Sequence, residues 1–326
     1  MFVLNFFEMK NSMDAAKGLA NYFDVDIESV LNRIDKNYNL IDLIEDLKIE
    51  LNYTYHPETL LTCRHATTTN DNLYSIRNKG LLNLKRMLEE ETTLSTFLFS
   101  YGISINVSEK KFIYKNQVFP IYSYRKNNIE EEYKRCNSYD LYETNPTLKD
   151  DYYHKAMDLL YLKLYYDDCE TEVFLDGDLK KIYDYDSVRY SPEILNTIEN
   201  IVKYLDNVPL FYLQDSWAKK ENCKYYILEF DVPIDCFVNS TIHSTFDRFW
   251  EISDIAELFG YTEWQYEDGL IDNTFFNNLF ILKNLISKII EDYAHTFGQI
   301  ASSTIIDGHK IGTIIEHDVK EKTLYD

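Results

Sequence analysis

The stretch Cys63-Arg64-His65-Ala66-Thr67-Thr68-Thr69-Asn70, continued by DNLYSIRNKGLLNL through Leu84, decides the reading of the chain. It opens as a short extended entry that ends in a histidine flanked by small hydroxyl residues. Asn70 or Asp71 then supplies a polar N-cap for a short helix carrying Leu73 and Ile76 on one face. Gly80 falls where a helix needs a left-handed terminating residue, and Leu81, Leu82 and Leu84 follow. A histidine aimed out of a strand end beside a helix N-terminus can meet an anion or a ribose hydroxyl. On spacing alone, a turn histidine held by its neighbours accounts for His65 at least as well.

His65-Ala66-Thr67, a helix and then Gly80-Leu81 resemble the opening motif of a known group of ADP-ribosyltransferases. That group includes diphtheria toxin, poly(ADP-ribose) polymerase and RNA 2′-phosphotransferase. It shows His-Gly-Thr on its first core strand, and Ala66 stands here for the glycine whose backbone holds the nicotinamide amide. A second stretch, VPLFYLQDSWAKKENCKYYILEFDVPID from Val208 to Asp235, reads as a strand ending at Leu210-Phe211-Tyr212-Leu213. A short helix through Gln214 to Lys220 and a strand from Tyr225 to Val232 complete it. It is similar to the family's tyrosine strand, polar turn, helix and next strand, with Leu210 where a glycine is usual. The third is Gly298-Gln299-Ile300, after an amphipathic helix carrying Phe276, Leu279, Phe280, Leu282, Ile286, Ile289, Ile290 and Tyr293. Gln299 occupies the place usually held by the family's glutamate.

The resemblance implies NAD as co-substrate and a division of roles. His65 would hold the adenosine-side ribose, with Ala66 and Thr67 in the same cofactor-binding strand end. Tyr212 would stack on nicotinamide, offering a flat aromatic face with a polar edge. Gln299 would fix the nicotinamide ribose and the acceptor. Breaking the nicotinamide–ribose bond passes through an oxocarbenium-like ribose, which a carboxylate stabilises by its charge. Glutamine keeps the hydrogen bond without the charge, a loss of about a hundred- to a thousand-fold in rate. The expected outcome is slow transfer of a single unit, or no chemistry. Glu229 is an alternative source of the missing carboxylate.

The expected fold class is α+β: an ADP-ribosyltransferase-like split sheet with an N-terminal helical region and an inserted subdomain. Residues 10–50 show helical spacing, which predicts a helical region over 1–55 and the family domain over 56–326. LLNLKRMLEEETTLSTFLFSYG, residues 81–102, suggests two short helices ending at Gly102. Ile103, Ile105, Val107, Phe112, Tyr114, Val118 and Ile121 alternate as a hairpin or small meander, with a turn at Lys115-Asn116-Gln117. Residues 125–150 read as a polar surface crossing, 151–167 resume helical spacing, and Ser191-Pro192-Glu193 opens another helix. The long interval between His65 and Tyr212 makes 103–200 the inserted segment.

At 326 residues, 45% hydrophobic and 15% aromatic, the chain can bury a sizeable core and is not disordered. Fifty-five acidic against 33 basic residues give a net charge of −22, which repels phosphate backbones and anionic membranes. The macromolecular acceptor is accordingly expected to be a protein rather than a nucleic acid, and an antitoxin or immunity factor would be a suitable partner. Five cysteines without a Cys-x-x-Cys pair argue against a disulfide framework or a zinc site. His309 and His317, with Asp318 beside the latter, lack a further metal partner at suitable spacing, so no metal is expected. His243, in Asn239–Ser244, reads as a turn histidine. MFVLNFF is too short for a signal h-region and no run is long enough to span a bilayer, so a cytoplasmic protein without membrane contact is expected.

The functional expectation is a mono-ADP-ribosyltransferase of the bacterial or phage toxin or defence type. Its competitor is a catalytically degenerate fold of the same kind that acts as a binding module, toward which Ala66, Leu210 and Gln299 lean. Removal of an RNA 2′-phosphate is a third reading, which would need basic residues such as Arg64, Arg77, Lys79 and Arg189 at the pocket.

Overall fold

The computed structural model describes residues 1–34, 39–125, 128–166, 170–177, 179–183, 186–206, 212–238, 249–262, 265, 271–290 and 297–319. In chain order its first elements are β1 (Phe2–Leu4), α1 (Ser12–Phe23), α2 (Ile27–Arg33), α3 (Leu40–Leu47), β2 (Thr59–Thr69) and α4 (Tyr74–Lys79). Next come α5 (Leu84–Glu89), α6 (Thr93–Ser100), β3 (Ile103–Asn106), β4 (Lys111–Tyr114), β5 (Gln117–Pro120), α7 (Ile129–Arg135) and α8 (Tyr139–Thr144). They are followed by α9 (Asp151–Tyr165), β6 (Thr171–Phe174), α10 (Leu179–Tyr183), α11 (Asp186–Arg189), α12 (Ile194–Asp206) and α13 (Leu213–Ala218). The last are β7 (Lys224–Pro233), α14 (Phe249–Leu258), α15 (Asn273–Ile290), β8 (Phe297–Ile300) and β9 (Gly312–Asp318). The class is α+β, as expected.

Two compact units divide the chain. The first comprises Met1–Arg64, Glu172–Ile182 and Glu229–Ala301, the second His65–Thr171, Tyr183–Leu228 and Ser302–Asp326. The N-terminal helices therefore belong to a larger body, and the segment expected as an insertion contributes to both units.

In the first unit, α1 starts where the Asn11 side chain accepts the Asp14 N–H at 3.0 Å. Ala15, Ala16, Leu19, Ala20, Tyr22 and Phe23 recur at helical spacing, so one buried face packs on α15. Helix α15 is apolar nearly all round, with Phe275, Phe276, Leu279, Phe280, Ile281, Leu282, Leu285 and Ile286 buried, as a central helix must be. Its polar residues are held. Asn278 accepts the Tyr22 hydroxyl at 3.1 Å and donates to the Leu51 and Tyr53 carbonyls, both at 2.8 Å. The Lys288 ammonium lies 2.8 Å from the Asp176 carboxylate, with both side chains buried. Strand order in this unit is β8-β6-β2-β7. β1 pairs in parallel with β2 (Phe2 opposite Thr59), while β6 pairs antiparallel with it (Arg64 opposite Phe174).

The second unit has its own core. The side chains of Thr92 and Ser95 each accept the other's backbone N–H, a capping box that starts α6, and Leu94, Phe97 and Leu98 point inward from it. β3, β4 and β5 form an antiparallel meander with Ile105 opposite Phe112 and Phe112 opposite Phe119. Lys115 and Asn116, at φ of 48° and 65°, make the tight turn expected there. Helices α9 and α12 pack through Tyr153, Met157, Leu160 and Leu164 on one and Ile194, Ile198, Ile201 and Val202 on the other. The Tyr133 and Tyr153 hydroxyls meet at 3.1 Å, and the Tyr122 hydroxyl meets His154 Nδ1 at 2.7 Å. β9 lies beside β7, where Lys224 pairs with Glu316.

Two sequence expectations need correction. Residues 125–150 include α7, α8 and a 3-10 turn at Pro146–Lys149, and they bury Tyr133 and Leu148. Their inward residues are too few and too widely spaced to reveal an amphipathic face. Leu213 does not end a strand; it is the first residue of α13 and is fully buried. Leu210, Phe211, Cys169, Asn239–Ser244 with His243, and Tyr293 lie outside the described residues.

Candidate functional site

The chain leaves β2 through a turn built on one carboxylate. Asp71 Oδ1 accepts the Thr69 hydroxyl at 2.5 Å, and Oδ2 accepts the Ser75 N–H at 3.0 Å and its hydroxyl at 2.5 Å. The Thr93 hydroxyl donates to the same oxygen. Burial alone would raise the Asp71 carboxyl; hydrogen bonds from Ser75, Thr69 and Thr93 outweigh it and hold the group below its ordinary range. Asn72 and Leu73 both adopt positive φ, so Leu73 occupies the cap position while Asp71 captures the helix N–H from two residues back. The expected cap is thus corrected in position. Its chemistry is the one expected of Asp71.

Gly80 ends α4 at φ 83° and ψ 177°, a region open essentially to glycine. A β-carbon there would stand 2.3 Å from the Ile306 carbonyl oxygen, which accepts the Leu81 N–H at 2.9 Å. Gly308 is pressed against the other side of α4, where a β-carbon would lie 2.2 Å from the Ile76 oxygen. Arg77 clamps the same segment, donating to the Ile311 and Gly308 carbonyls at 2.5 and 3.3 Å.

These contacts enclose a cavity of about 60 Å³ within the second unit. Its lining includes His65, Thr67 and Thr69 from β2, Ser75, Ile76 and Lys79 from α4, and Gly80, Leu81 and Leu82 beyond it. Met87, Thr93, Leu94, Pro192 and Trp217 close the remaining sides. Thr69, Ser75 and Thr93 turn hydroxyl protons toward Asp71, which leaves oxygen lone pairs to accept from a guest. Trp217 is 1% exposed, and its Nε1–H has no hydrogen-bond partner. The cavity therefore offers hydroxyl acceptors on one wall.

His65 and Thr67 are half-buried and reach this cavity, while Ala66 between them is buried and its side chain is not part of the lining. Tyr212 precedes α13, is 48% exposed and is not among the lining residues. Trp217, five residues further on, is. An indole on a short helix ahead of β7 was the available sequence signal, since a buried tryptophan brings an N–H that needs a partner. Gln299 belongs to the first unit, half-buried between buried Gly298 and Ile300 on β8, and its backbone carbonyl accepts the Val238 N–H at 3.0 Å.

The other candidates are engaged elsewhere. Glu229 pairs with Arg64 at 3.0 Å, and the Arg64 guanidinium stacks 3.8 Å from the centre of the Phe7 ring. Its carboxylate is thus neutralised within the first unit. Lys79 donates to the Glu91 carbonyl at 2.5 Å and Arg77 to backbone carbonyls, contacts that position both side chains without neutralising their charge. His309 and His317 are exposed, and among the described residues no group of His, Cys, Asp or Glu is arranged to hold a metal ion. The described cysteines are free thiols, and burial pushes Cys63 well above the ordinary thiol range. Among the described residues no helix is long and apolar enough to cross a membrane.

Compared with protein-family models, curated proteins and solved structures, the chain matches none of them.

Proposed function

We propose that the protein is an ADP-ribosyltransferase-like enzyme with a split-sheet core of that kind. It uses NAD as co-substrate and transfers one ADP-ribose unit to a macromolecular acceptor. The observation that carries this reading is that the motif comes together on one cavity, from His65 and Thr67 on β2, through Ser75, Ile76 and Lys79 on α4, to Gly80 and Leu81. In this reading His65 and the hydroxyl wall hold ribose hydroxyls, and the Ala66 backbone meets the nicotinamide amide. A cavity of about 60 Å³ takes only part of a dinucleotide, and the rest lies outside it. By the resemblance, Gln299 stands where the family's glutamate does and supplies no charge, and turnover is slow for that reason. The net charge of −22 favours a protein acceptor over nucleic acid, and Arg64 is already paired with Glu229. A toxin or defence factor with an antitoxin partner fits this chemistry.

A second reading, a binding module on the same scaffold, is favoured by the small cavity and by the absence of Tyr212 from its lining. Nicotinamide release from NAD separates the two. The enzyme reading expects release that disappears in His65→Ala and rises in Gln299→Glu by about a hundred-fold, the usual worth of one such electrostatic group. No release in any variant with NAD still bound leaves the binding module. Neither release nor binding overturns both.

A further inference from the structure

The second unit carries another concavity, of about 420 Å³, walled by α5, α6 and β3. This lies in the range of about 300–1,000 Å³ typical of ligand-holding pockets. Leu88, Leu98, Ile103 and Ile105 line it with apolar side chains, none more than 6% exposed. Glu89, Glu90 and Glu91 contribute to the same lining. Phe99 also belongs to it, yet its ring is 75% exposed. Helix α6 turns Leu94, Phe97 and Leu98 inward, so Phe99 faces water with no packing role inside the unit. The Leu88, Leu98, Ile103 and Ile105 side chains back the concavity from inside the core, and the Phe99 ring is the apolar surface it offers for a partner to bury.

The charges say which partner. Arg86 pairs with Glu90 at 2.6 Å, while Glu89 accepts only the Ser108 N–H at 3.0 Å. Lys79 touches Glu91 at its backbone oxygen, and no described cation pairs with the Glu91 carboxylate. Glu89 and Glu91 are exposed, so both present their carboxylates to solvent at the groove. Nucleic acid and anionic lipid are repelled there, and a lysine- or arginine-bearing chain is attracted.

We propose that this groove docks a basic segment of a partner protein. One apolar side chain of that segment packs on the Phe99 ring, and flanking cations meet Glu89 and Glu91. The surface uses parts of α5 and α6 other than those that line the His65 cavity, and docking does not depend on that cavity being catalytic.

The probe is a fluorescent peptide of alternating lysine and leucine, compared with a lysine–serine peptide of equal charge and a glutamate–leucine peptide. Anisotropy should show the lysine–leucine peptide binding at least about ten-fold tighter than either control. Phe99→Ser, and Glu89→Gln with Glu91→Gln, should each weaken it by about ten-fold, equivalent to one hydrogen-bonded or apolar anchor. Glu130→Gln with Glu131→Gln, on α7, should leave it unchanged. All substituted side chains are solvent-exposed or partly so, and matching thermal melts establish that each variant is folded. Equal binding of the lysine–serine peptide, equal weakening by the α7 pair, or no binding of any peptide would overturn the proposal.

Discussion

Replacing Gly80 with alanine puts a carbon 2.3 Å from the Ile306 oxygen and 2.9 Å from Ile305 Cγ2. Two penalties combine. Holding alanine in the glycine-only region at φ 83°, ψ 177° costs about 1–3 kcal/mol. Forcing an extra carbon into closed packing costs about 1–3 kcal/mol more. The Ile306 carbonyl cannot swing aside without releasing the Leu81 N–H it accepts at 2.9 Å. Gly80→Ala should therefore destabilise the second unit by roughly 2–6 kcal/mol. Two companions separate the causes. Gly102, at φ 70° with its nearest atom 3.8 Å from an added β-carbon, isolates the backbone penalty, about 1–2 kcal/mol. Gly308→Ala isolates the clash, because the Ile76 and Arg77 oxygens lie 2.2 and 2.5 Å away. Urea melts followed by aromatic fluorescence should rank Gly80→Ala as the most damaging of the three. If Gly80→Ala cost no more than Gly102→Ala, the close approach of 305–306 to the end of α4 would be refuted.

Asp71 and Lys288 give two further predictions. Asp71→Asn removes charge-assisted acceptance from Thr69, Ser75 and Thr93 and should cost about 1.5–3 kcal/mol at neutral pH. Because the folded Asp71 carboxyl lies below the ordinary carboxyl value of the unfolded chain, its stabilisation is present above that ordinary value and is lost as pH falls through the folded one. Melts between neutral pH and pH of about 2 should accordingly show the gap between wild type and Asp71→Asn closing at the acid end. Lys288→Met leaves the buried Asp176 carboxylate without its ammonium and should cost about 3–5 kcal/mol by chemical denaturation. Adding Asp176→Leu should recover most of that loss, since replacing a whole buried pair is often neutral.

Much of the fold is legible in the sequence because its signals are local. The Lys115-Asn116 turn fixes the meander, the inward spacing of Tyr153, Met157, Leu160 and Leu164 fixes α9, and Pro192 precedes α12 closely. β6 is not legible. Its four residues, Thr171–Phe174, are too few for alternation to register, and pairing with β2 and β8 makes them a strand. The division into units is equally hidden, because it rests on contacts between segments far apart in the chain. At the site, His65, Thr67 and the α4–Gly80 run could be read as one motif because a single continuous segment builds that wall. Trp217 and Pro192 could not, since tertiary packing alone brings them to the cavity. Tyr212 was matched on a strand pattern, and the helix that begins at Leu213 takes it away from the cavity lining.

The most direct test of the account is a calorimetric titration of NAD into the folded protein and into His65→Ala and Thr93→Val. The account predicts binding to the wild type, weakened at least about ten-fold in His65→Ala, for the loss of one hydrogen bond to a ribose hydroxyl. Thr93→Val should weaken it less, because Thr69 and Ser75 keep the hydroxyl wall in place. Equal NAD affinity in wild type and His65→Ala, or no binding to the wild type at millimolar concentration, would contradict the claim that this cavity holds the nucleotide.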